Sequence, residues 1–390
     1  MTTGFIVHEW LEQRGGAEQV VDAMREAFPD ADLVALWNDA PEKYCDVHES
    51  WLARTPLRHH KALSLPIQPY VWRRALPPMQ LDWLLVSSHL FAHHIDVRTP
   101  SGERVPKYVY AHTPARYIWT PELDGRGRSL PARAGSVLFR PVDRMRAQEP
   151  VKIAANSQFV RERIARAWHR DAEVIYPPVS IEYITSVTDW RDKLSGDELR
   201  ELESLSAGFV LGASRFVPYK RLDWVIRAGS SAGLPVVIAG GGPEEDRLKA
   251  VAAEARVPVR FISYPSTPML YALYQAAQVF VFPAVEDFGI MPVEAQALGT
   301  PVATASVGGA TESHVEGLTG VSAAQDDLPS LVEALQAAAN LRDTTAMREE
   351  VCRFSRGRFR RQLKEWMGVD TMTEAAVAGV SAVGSIIRHG

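Results

Sequence analysis

Short apolar runs that end in small or polar residues recur along the whole chain, and an amphipathic stretch follows most of them. Gly4–His8 leads through the Gly15-Gly16 turn into Gln19–Ala27, and Gly208–Gly212 is followed by the helical pattern of Leu222–Ala232. Strands that alternate with helices of this length are typical of parallel sheets with helices packed on both faces. The sequence therefore predicts an α/β protein.

The alternation of strands and helices is divided near Pro177-Pro178 into two similar blocks. A chain of 390 residues is also long for a single hydrophobic core. We therefore predict two Rossmann-like domains, residues 1–177 and 178–365. The C-terminal segment is apolar enough to need a packing partner, so residues 366–390 are predicted to form a helix that crosses back to the first domain.

The net charge of −4 is unevenly distributed along the chain. Trp51 to Arg170 contains 20 Lys and Arg against 8 Asp and Glu, so this stretch carries +12 and the rest of the chain −16. The asymmetry favours phosphate or an anionic membrane surface as partner, although a solvated basic face has the same composition. Trp72-Arg73-Arg74 is typical of contact with lipid headgroups. No nucleic-acid reader module is recognisable, so nucleic acid is not expected as a partner.

The cysteines and the hydropathy of the sequence indicate the cellular compartment in which the protein is expected. Cys45 and Cys352 lie far apart in sequence, so no disulfide framework is expected. Neither a signal-peptide pattern nor an apolar run of membrane-spanning length is found. The prediction is a cytoplasmic protein, with peripheral attachment to the inner face of the membrane as the alternative.

The segment Glu286–Glu294 joins two carboxylates across a Phe-Gly turn, and a helix is predicted to begin at Pro292. The free N–H groups at a helix start favour anionic ligands. Those of Phe288, Gly289 and Ile290, together with the two carboxylates, could hold an anionic ligand rich in hydroxyl groups. Each glutamate could also serve only as a capping or first-turn residue.

Two cations follow the predicted strand Gly208–Gly212. Arg215 and Lys220 share one loop, where a guanidinium fork and an ammonium group can bracket a diphosphate. In the first block, His112 ends a predicted strand, and Gly15-Gly16 would let a phosphate or sugar approach the backbone. No third glycine opens the helix, so a dinucleotide cofactor is not expected. These residues predict an enzyme that binds a nucleotide-diphosphate sugar.

A known family carries several of the same segments. Glu286–Glu294, the following Ala295–Val302 and Gly308–Glu312 resemble retaining glycosyltransferases of family four. Tyr110–Trp119 is similar to a mannosyltransferase-like subgroup of bacterial surface-polysaccharide or natural-product pathways. The resemblance implies the GT-B architecture, in which two Rossmann-like domains face a cleft and C-terminal helices pack back toward the first domain.

The resemblance also implies roles for the matched residues. Glu286 and His112 would lie beside the donor sugar, Arg215 and Lys220 would neutralise the leaving diphosphate, and Glu294 would hold the ribose hydroxyls. The backbone of Phe288, Gly289 and Ile290 would contact the sugar and the phosphate. Gly15 and Gly16 would let the phosphate and the acceptor approach. Ser263 and Tyr264 would lie beside the nucleobase. The family usually has glycine where Ser263 stands, so the choice of base stays open.

The implied reaction transfers a hexose with retention of anomeric configuration. Guanosine diphosphate mannose (GDP-mannose) is favoured as donor, with a UDP-hexose as the alternative. The acceptor is a hydroxyl of a saccharide, of a polyprenyl-diphosphate-linked saccharide or of a soluble natural product. Two cations would take the place of a metal, so neither a metal nor a cofactor is expected.

Other functions are compatible with some of these features. A nucleotide-sugar epimerase would release nucleotide without an acceptor, and a phosphorylase would need a cofactor lysine and a far longer chain. A non-catalytic nucleotide-sugar-binding scaffold is the alternative from another class. It would not depend on Glu286 for binding its partner.

Overall fold

The computed structural model describes residues 3–13, 15–120 and 130–369, and it describes only the backbone of residues 130–136. The chain forms two compact units. Of the described residues, the first unit contains those up to Asn156, Val160–Pro178 and those from Arg356 to Val369, and the second contains Ser157–Phe159 and Val179–Ser355.

The first unit is built on a seven-stranded parallel sheet with the order β3-β2-β1-β4-β5-β6-β7. The strands are β1 (Gly4–His8), β2 (Asp32–Ala35), β3 (Val47–Glu49), β4 (Trp83–Ser88), β5 (Lys107–Ala111), β6 (Lys152–Ala155) and β7 (Glu173–Val174). The direction of strand order reverses between β1 and β4, which are paired from Gly4 to His8. Ligands of open α/β sheets bind beyond the carboxyl ends of the strands at such a reversal.

The helices of the first unit connect these strands. They are α1 (Gly16–Ala27), α2 (Lys61–Ser64), α3 (Gln68–Trp72), α4 (Arg116–Trp119), α5 (Leu130–Arg146) and α6 (Gln158–Trp168), with 3-10 turns at Trp51–Arg54, Pro56–His59 and Ala92–His94. α1 and α6 agree with the sequence pattern. The helices between Trp51 and Trp72 do not, because an element of a single turn is too short to display a helical period.

The second unit is built on a six-stranded parallel sheet with the order β10-β9-β8-β11-β12-β13. Its strands are β8 (Val210–Arg215), β9 (Val236–Gly241), β10 (Val259–Ser263), β11 (Val279–Phe282), β12 (Val302–Ala305) and β13 (Gly320–Ala323). Its helices are α7 (Ile181–Thr185), α8 (Gly196–Glu203), α9 (Leu222–Ala232), α10 (Glu245–Ala253), α11 (Thr267–Ala276), α12 (Ile290–Ala297), α13 (Leu328–Ala338) and α14 (Thr344–Val351). Here the strand order reverses between β8 and β11.

The chain returns to the first unit at Arg356 and forms α15 (Arg356–Met367). Phe359, Leu363 and Trp366 of α15 are buried in the core of the first unit with residues of α1 and β1. The predicted boundary at residue 366 therefore moves to Arg356, because the apolar face of α15 is already part of this core. Of the helix predicted over residues 366–390, the part from 370 onwards lies outside the described residues.

Two element bounds differ from the sequence prediction and affect the site. α12 begins at Ile290 with Gly289 as its N-cap, rather than at Pro292. Glu294 is therefore the fifth residue of the helix and does not lie in its first turn. β8 continues to Arg215 instead of ending at Gly212. In the part of the chain that the structure describes, no helix combines the length and the apolarity needed to cross a bilayer.

Candidate functional site

The predicted donor-binding residues of the second unit lie along the carboxyl edge of its sheet. Arg215 ends β8 and is the register partner of Gly241 at the end of β9. Tyr264 follows β10 directly, and Glu286 follows β11. Because the four strands are parallel and adjacent, these residues share one edge, at and beside the reversal of strand order.

Lys220 and Glu286 form an ion pair at this reversal. The Lys220 Nζ lies 2.5 Å from the Glu286 Oε1, and the two side chains are 13% and 16% exposed. The ammonium group also lies 5.3 Å from the ring centroid of Tyr219 and 5.5 Å from that of Phe282. Partial removal from water strengthens the attraction between the charges. A cation and a carboxylate are thus held side by side where a charged sugar donor would bind.

Arg215 offers a second cation from the end of β8. Its side chain is exposed, and its Nη2 lies 3.5 Å from the Tyr219 hydroxyl. The left-handed backbone of Arg221 (φ 55°) ends the 3-10 turn Pro218–Lys220, so α9 begins directly afterwards. Arg215 is thus the last residue of β8 and Lys220 lies in the turn that follows, whereas the sequence analysis expected both in one loop.

The loop that carries Glu286 is fixed by neighbouring backbone. The N–H of Gly309 donates to the carbonyl of Glu286 at 2.8 Å. A Cβ on Gly309 would lie 2.1 Å from the carbonyl oxygen of Asp287, so only glycine permits this approach. The Ser157 hydroxyl donates to the same Asp287 carbonyl at 2.5 Å. These contacts position the backbone of Phe288 and Gly289 before α12, where the donor phosphate is predicted to bind.

Glu312 ends the segment Gly308–Glu312, which the family resemblance includes. Its carboxylate accepts hydrogen bonds from the N–H groups of Gln158 at 2.7 Å and Phe159 at 3.0 Å. A carboxylate at the start of a helix satisfies N–H groups that have no partner within the helix. Its described contacts are therefore those of a helix cap.

The carboxyl of Glu294 has a raised pKa. Glu294 is partly buried on α12, and burial raises the pKa of its carboxyl to about 7, with the Tyr274 hydroxyl acting in the opposite direction. Ionisation of Glu294 near neutral pH therefore costs free energy in the ligand-free protein. A ligand with hydroxyl donors would offset this cost by solvating the carboxylate.

Glu294→Gln is expected to stabilise the protein at pH 8 but not at pH 4.5. A folded-state pKa above the unfolded value contributes stability that is full below about pH 4.5 and is lost as the pH rises through about 7. The shift from 4.5 to about 7 is about 2.5 pKa units. One unit corresponds to about 1.4 kcal/mol, so the gain at pH 8 is at most about 3.5 kcal/mol. Urea unfolding at both pH values measures it. Glu333→Gln, on the exposed side of α13, is the control, and an equal gain at both pH values would contradict the argument.

Tyr264 has a strained and exposed conformation. Its φ is 48°, in the left-handed region that bulky residues rarely adopt, and its side chain is 75% exposed. A Cβ on Gly241 would lie 2.3 Å from the Tyr264 ring, so the glycine lets the ring rest on β9. An exposed ring held in this way can stack on a nucleobase. Ser263 ends β10 and is also exposed.

The first unit gathers a second polar cluster at the carboxyl ends of β1, β4 and β5. The Glu9 Oε1 accepts four hydrogen bonds at the end of β4, at 2.8–3.2 Å. The donors are the hydroxyl of Ser88, the last residue of β4, and the N–H groups of His89, Leu90 and Ala92. The Glu9 Oε2 lies 3.0 Å from the His89 Nδ1. Burial alone would lower the pKa of His89, but the Glu9 carboxylate raises it. The sequence analysis missed both residues, although each directly follows a strand.

His112 follows β5 in the same cluster. Its Nε2 lies 2.8 Å from the Ser87 hydroxyl. Burial, together with the charges of His89 and His8, lowers the pKa of His112 to about 3. The imidazole is therefore neutral at physiological pH and can donate or accept a hydrogen bond at a sugar hydroxyl.

The Gly15-Gly16 turn begins α1 in the first unit. A Cβ on Gly15 would lie 2.0 Å from a carboxylate oxygen of Glu18, so this carboxylate fills the space that the glycine leaves open. An anionic group beside Gly15 would meet a negative charge, whereas a hydroxyl group could donate to it. The geometry thus favours a hydroxyl-bearing ligand over phosphate at Gly15.

Two groups of side chains in the first unit could hold a metal ion by their spacing. They are His8, Glu9 and His89, and His93, His94 and Asp143. In the second group, the Asp143 Oδ1 lies 3.2 Å from the His93 Nε2 and 3.0 Å from the His94 Nε2, while its Oδ2 accepts from the indole N–H groups of Trp119 and Trp168 at 2.7 and 2.8 Å. Four partners already saturate this carboxylate, so its geometry is explained without a metal.

Comparison with known proteins identifies the class of the second unit. Residues 200–352 match the family described as Glycosyl transferases group 1. D-inositol 3-phosphate glycosyltransferase of Mycobacterium avium (strain 104) is 36% identical over 140 residues, which cover 34% of this chain and 33% of that protein. The chain thus spans about a third of the length of such curated relatives. Residues 200–352 are a group 1 glycosyltransferase domain.

Solved structures extend the similarity to both units. Sucrose-phosphate synthase from Thermosynechococcus elongatus has a TM-score of 0.69 and 17% identity, covering 96% of this chain and 100% of that one. Anabaena HepE in complex with UDP and glucose has a TM-score of 0.66 and 18% identity, covering 95% and 100%. The chain has the GT-B fold of these glycosyltransferases, with two Rossmann-like domains, and the fold predicted from the sequence is confirmed.

Proposed function

We propose that the chain is a retaining hexosyltransferase of family four, which moves a hexose from a nucleoside-diphosphate sugar to an acceptor hydroxyl. The observation that carries the proposal is the Lys220–Glu286 pair at the reversal of strand order, with Arg215 at the end of β8. A group 1 glycosyltransferase domain covers all three residues. Cations and carboxylates so placed suit a ligand with a diphosphate at one end and sugar hydroxyls at the other.

The chemistry follows from where charge develops. The bond between the anomeric carbon and the diphosphate breaks through an oxocarbenium-like state, and the electron pair stays on the leaving phosphate. Lys220, Arg215 and the N–H groups before α12 stabilise that charge. The acceptor hydroxyl attacks from the same face and transfers its proton to the leaving phosphate, which retains the anomeric configuration. Glu286 and His112 orient the sugar, and the two cations make a metal unnecessary, so activity is expected to survive EDTA.

The donor is proposed to be GDP-mannose, which the resemblance of Tyr110–Trp119 favours. A UDP-hexose is the second candidate, because the structurally similar HepE binds UDP and glucose. The exposed Tyr264 ring would stack on either base and does not select between them.

The acceptor is proposed to be a saccharide linked to a polyprenyl diphosphate, with a soluble natural product as the alternative. Support comes from residues 51–81, which contain five Lys and Arg and no Asp or Glu. Exposed Arg54 and Arg74 lie there with exposed Leu63 and Tyr70. Trp72, which the sequence analysis expected at the headgroups, is instead buried. The enzyme would then work in the cytoplasm, at the inner face of an anionic membrane.

A panel of nucleotide sugars in a thermal-shift assay tests the donor. At about a hundred times its dissociation constant, the true donor should add about 2.7 kcal/mol of stability. Glu294→Gln should weaken binding of the selected nucleoside diphosphate but not of its 2′,3′-dideoxy analogue, because only the former offers ribose hydroxyls to Glu294. If the panel stabilises nothing, or if both analogues respond equally, the assigned site is wrong.

The scaffold alternative is separated from the enzyme by Glu286→Ala. In an enzyme this variant should keep nucleotide binding and lose turnover, measured as release of nucleoside diphosphate in the presence of an acceptor extract. Release by the wild type without any acceptor would indicate an epimerase or hydrolase instead.

A further inference from the structure

The solvent-facing side of α5 is entirely apolar over the residues whose side chains are described. Within 137–146, the exposed residues are Val137, Leu138, Pro141, Val142 and Met145. Leu138 is 77% exposed, Val137 60% and Met145 51%. Successive exposed residues alternate between spacings of one and three, which places all five on one face of the helix. A surface helix normally has the opposite arrangement, with polar residues toward water.

The polar residues of α5 fix the orientation of the helix. Buried Asp143 accepts hydrogen bonds from the indoles of Trp119 and Trp168. The Nε of Arg140 donates to the carbonyl of Ile118, and that of Arg144 donates to the carbonyl of Ala167, at 3.0 and 2.9 Å. These bonds hold the polar side of α5 against the first unit, so the apolar side must face outward.

The C-terminal end of α5 lies near the end of α3, which belongs to the carboxylate-free segment 51–81. Arg73, which directly follows α3, forms an ion pair with Glu149 just after α5 at 2.8 Å. Leu63, at 67% exposure, and Tyr70, at 55%, are the exposed apolar side chains of α2 and α3. The Arg74 guanidinium lies 4.0 Å from the Tyr70 ring centroid. The two neighbouring elements thus combine exposed apolar side chains with arginines.

We propose that α5 lies in the interface of an anionic lipid bilayer, with Val137, Leu138, Val142 and Met145 inserted among the acyl chains. Within 137–146 the only carboxylate is the buried Asp143, so no exposed negative charge opposes the lipid phosphates. The partly exposed Arg140 and Arg144 flank the face and fit those phosphates. The inference specifies which helix of the first unit contacts the membrane in the proposed function. It rests on that function only in so far as a lipid-linked acceptor would bring the enzyme to the membrane.

A bilayer fits this face better than a second copy of the chain does. A stable protein interface takes about 20–30 residues and about 800 Å² from each partner. A stripe of five side chains on one helix is much smaller. Interfacial insertion, in contrast, requires only one amphipathic face with cations beside it.

The experiment measures binding of the full chain to vesicles by flotation. Vesicles of phosphatidylglycerol and phosphatidylcholine are compared with pure phosphatidylcholine, each at low and high salt. Leu138→Asp and Met145→Asp are expected to lower the partition coefficient on anionic vesicles roughly tenfold or more, at both salt concentrations, because inserted apolar area is lost. Arg74→Gln should weaken binding at low salt only.

Leu318→Asp is the matched control, because Leu318 is a 43% exposed leucine of the second unit. It should bind vesicles like the wild type. Equal binding of Leu138→Asp and the wild type, or no binding of the wild type at low salt, would overturn the proposal. So would a change from dimer to monomer in Leu138→Asp without an effect on vesicles. Donor binding in the thermal-shift assay should be unchanged in Leu138→Asp, so a failure of the membrane proposal is separable from a failure of the proposed function.

Discussion

Lys220→Met is expected to lower kcat on the order of 10²–10³-fold, because it removes a fixed cation from the phosphate that gains charge in the transition state. KM for the donor should change much less, since Arg215 and the N–H groups before α12 still hold the ground-state diphosphate. The measurement is steady-state release of nucleoside diphosphate, with the donor selected by thermal shift. Lys220→Arg should recover part of the activity, because it keeps the charge next to Glu286.

Lys249→Met is the control for loss of a lysine from the second unit. Lys249 is 54% exposed on α10 and forms an ion pair with Glu245, and its loss should leave kcat unchanged. A decrease in kcat of less than about threefold for Lys220→Met would remove Lys220 from the proposed mechanism. An increase in KM alone would assign it to ground-state binding.

Asp143→Asn is expected to destabilise the first unit by about 3–5 kcal/mol, the range for removing one partner of a buried ion pair. The amide of asparagine keeps one acceptor oxygen but replaces the other with an NH₂ group. That group would face two of the ring nitrogens that now contact Asp143, and their N–H groups would lose their acceptor. The four ring nitrogens belong to His93, His94, Trp119 and Trp168. Urea unfolding followed by circular dichroism measures the loss. The surface variant Asp171→Asn, which removes the exposed ion pair with Arg161, should not change stability measurably.

The same variant should show a characteristic dependence on pH. Burial alone would raise the pKa of Asp143, but the charges and N–H groups of His93 and His94 lower it well below the usual range. A carboxyl with a depressed pKa contributes stability that is present above the unfolded pKa of about 4 and is lost as the pH falls. The stability difference between wild type and Asp143→Asn should therefore narrow below pH 4. A constant difference would show that Asp143 acts by packing alone.

The sequence predicted the sheets and the position of the donor edge because both depend on local signals. Strands such as Gly4–His8 and Val259–Ser263 are apolar runs bounded by polar residues, and their bounds agree with the structure. Arg215, Lys220 and Glu286 lie in the segments that come after predicted strands, so the rule for parallel sheets places them on one edge. The roles that the family resemblance gives these residues stay predictions.

Other features depend on contacts between distant residues, which local patterns do not reveal. Glu9 is the partner of residues 88–92 only because β1 and β4 are neighbours in the sheet. Trp72 appeared suited to lipid because an arginine follows it, yet it is buried, while Tyr70 is exposed two residues earlier. The raised pKa of Glu294 depends on burial of its carboxyl in the folded protein.

The position of α15 has a consequence for how the polypeptide folds during translation. The first unit contains β1 and α1, which come early in the chain, yet its core includes Phe359, Leu363 and Trp366. A ribosome that has released the chain only as far as Ser355 has supplied every residue of the second unit, while α1 still lacks its neighbour. The unit that is synthesised first is therefore completed last, and until then the apolar surface of α1 needs protection from aggregation.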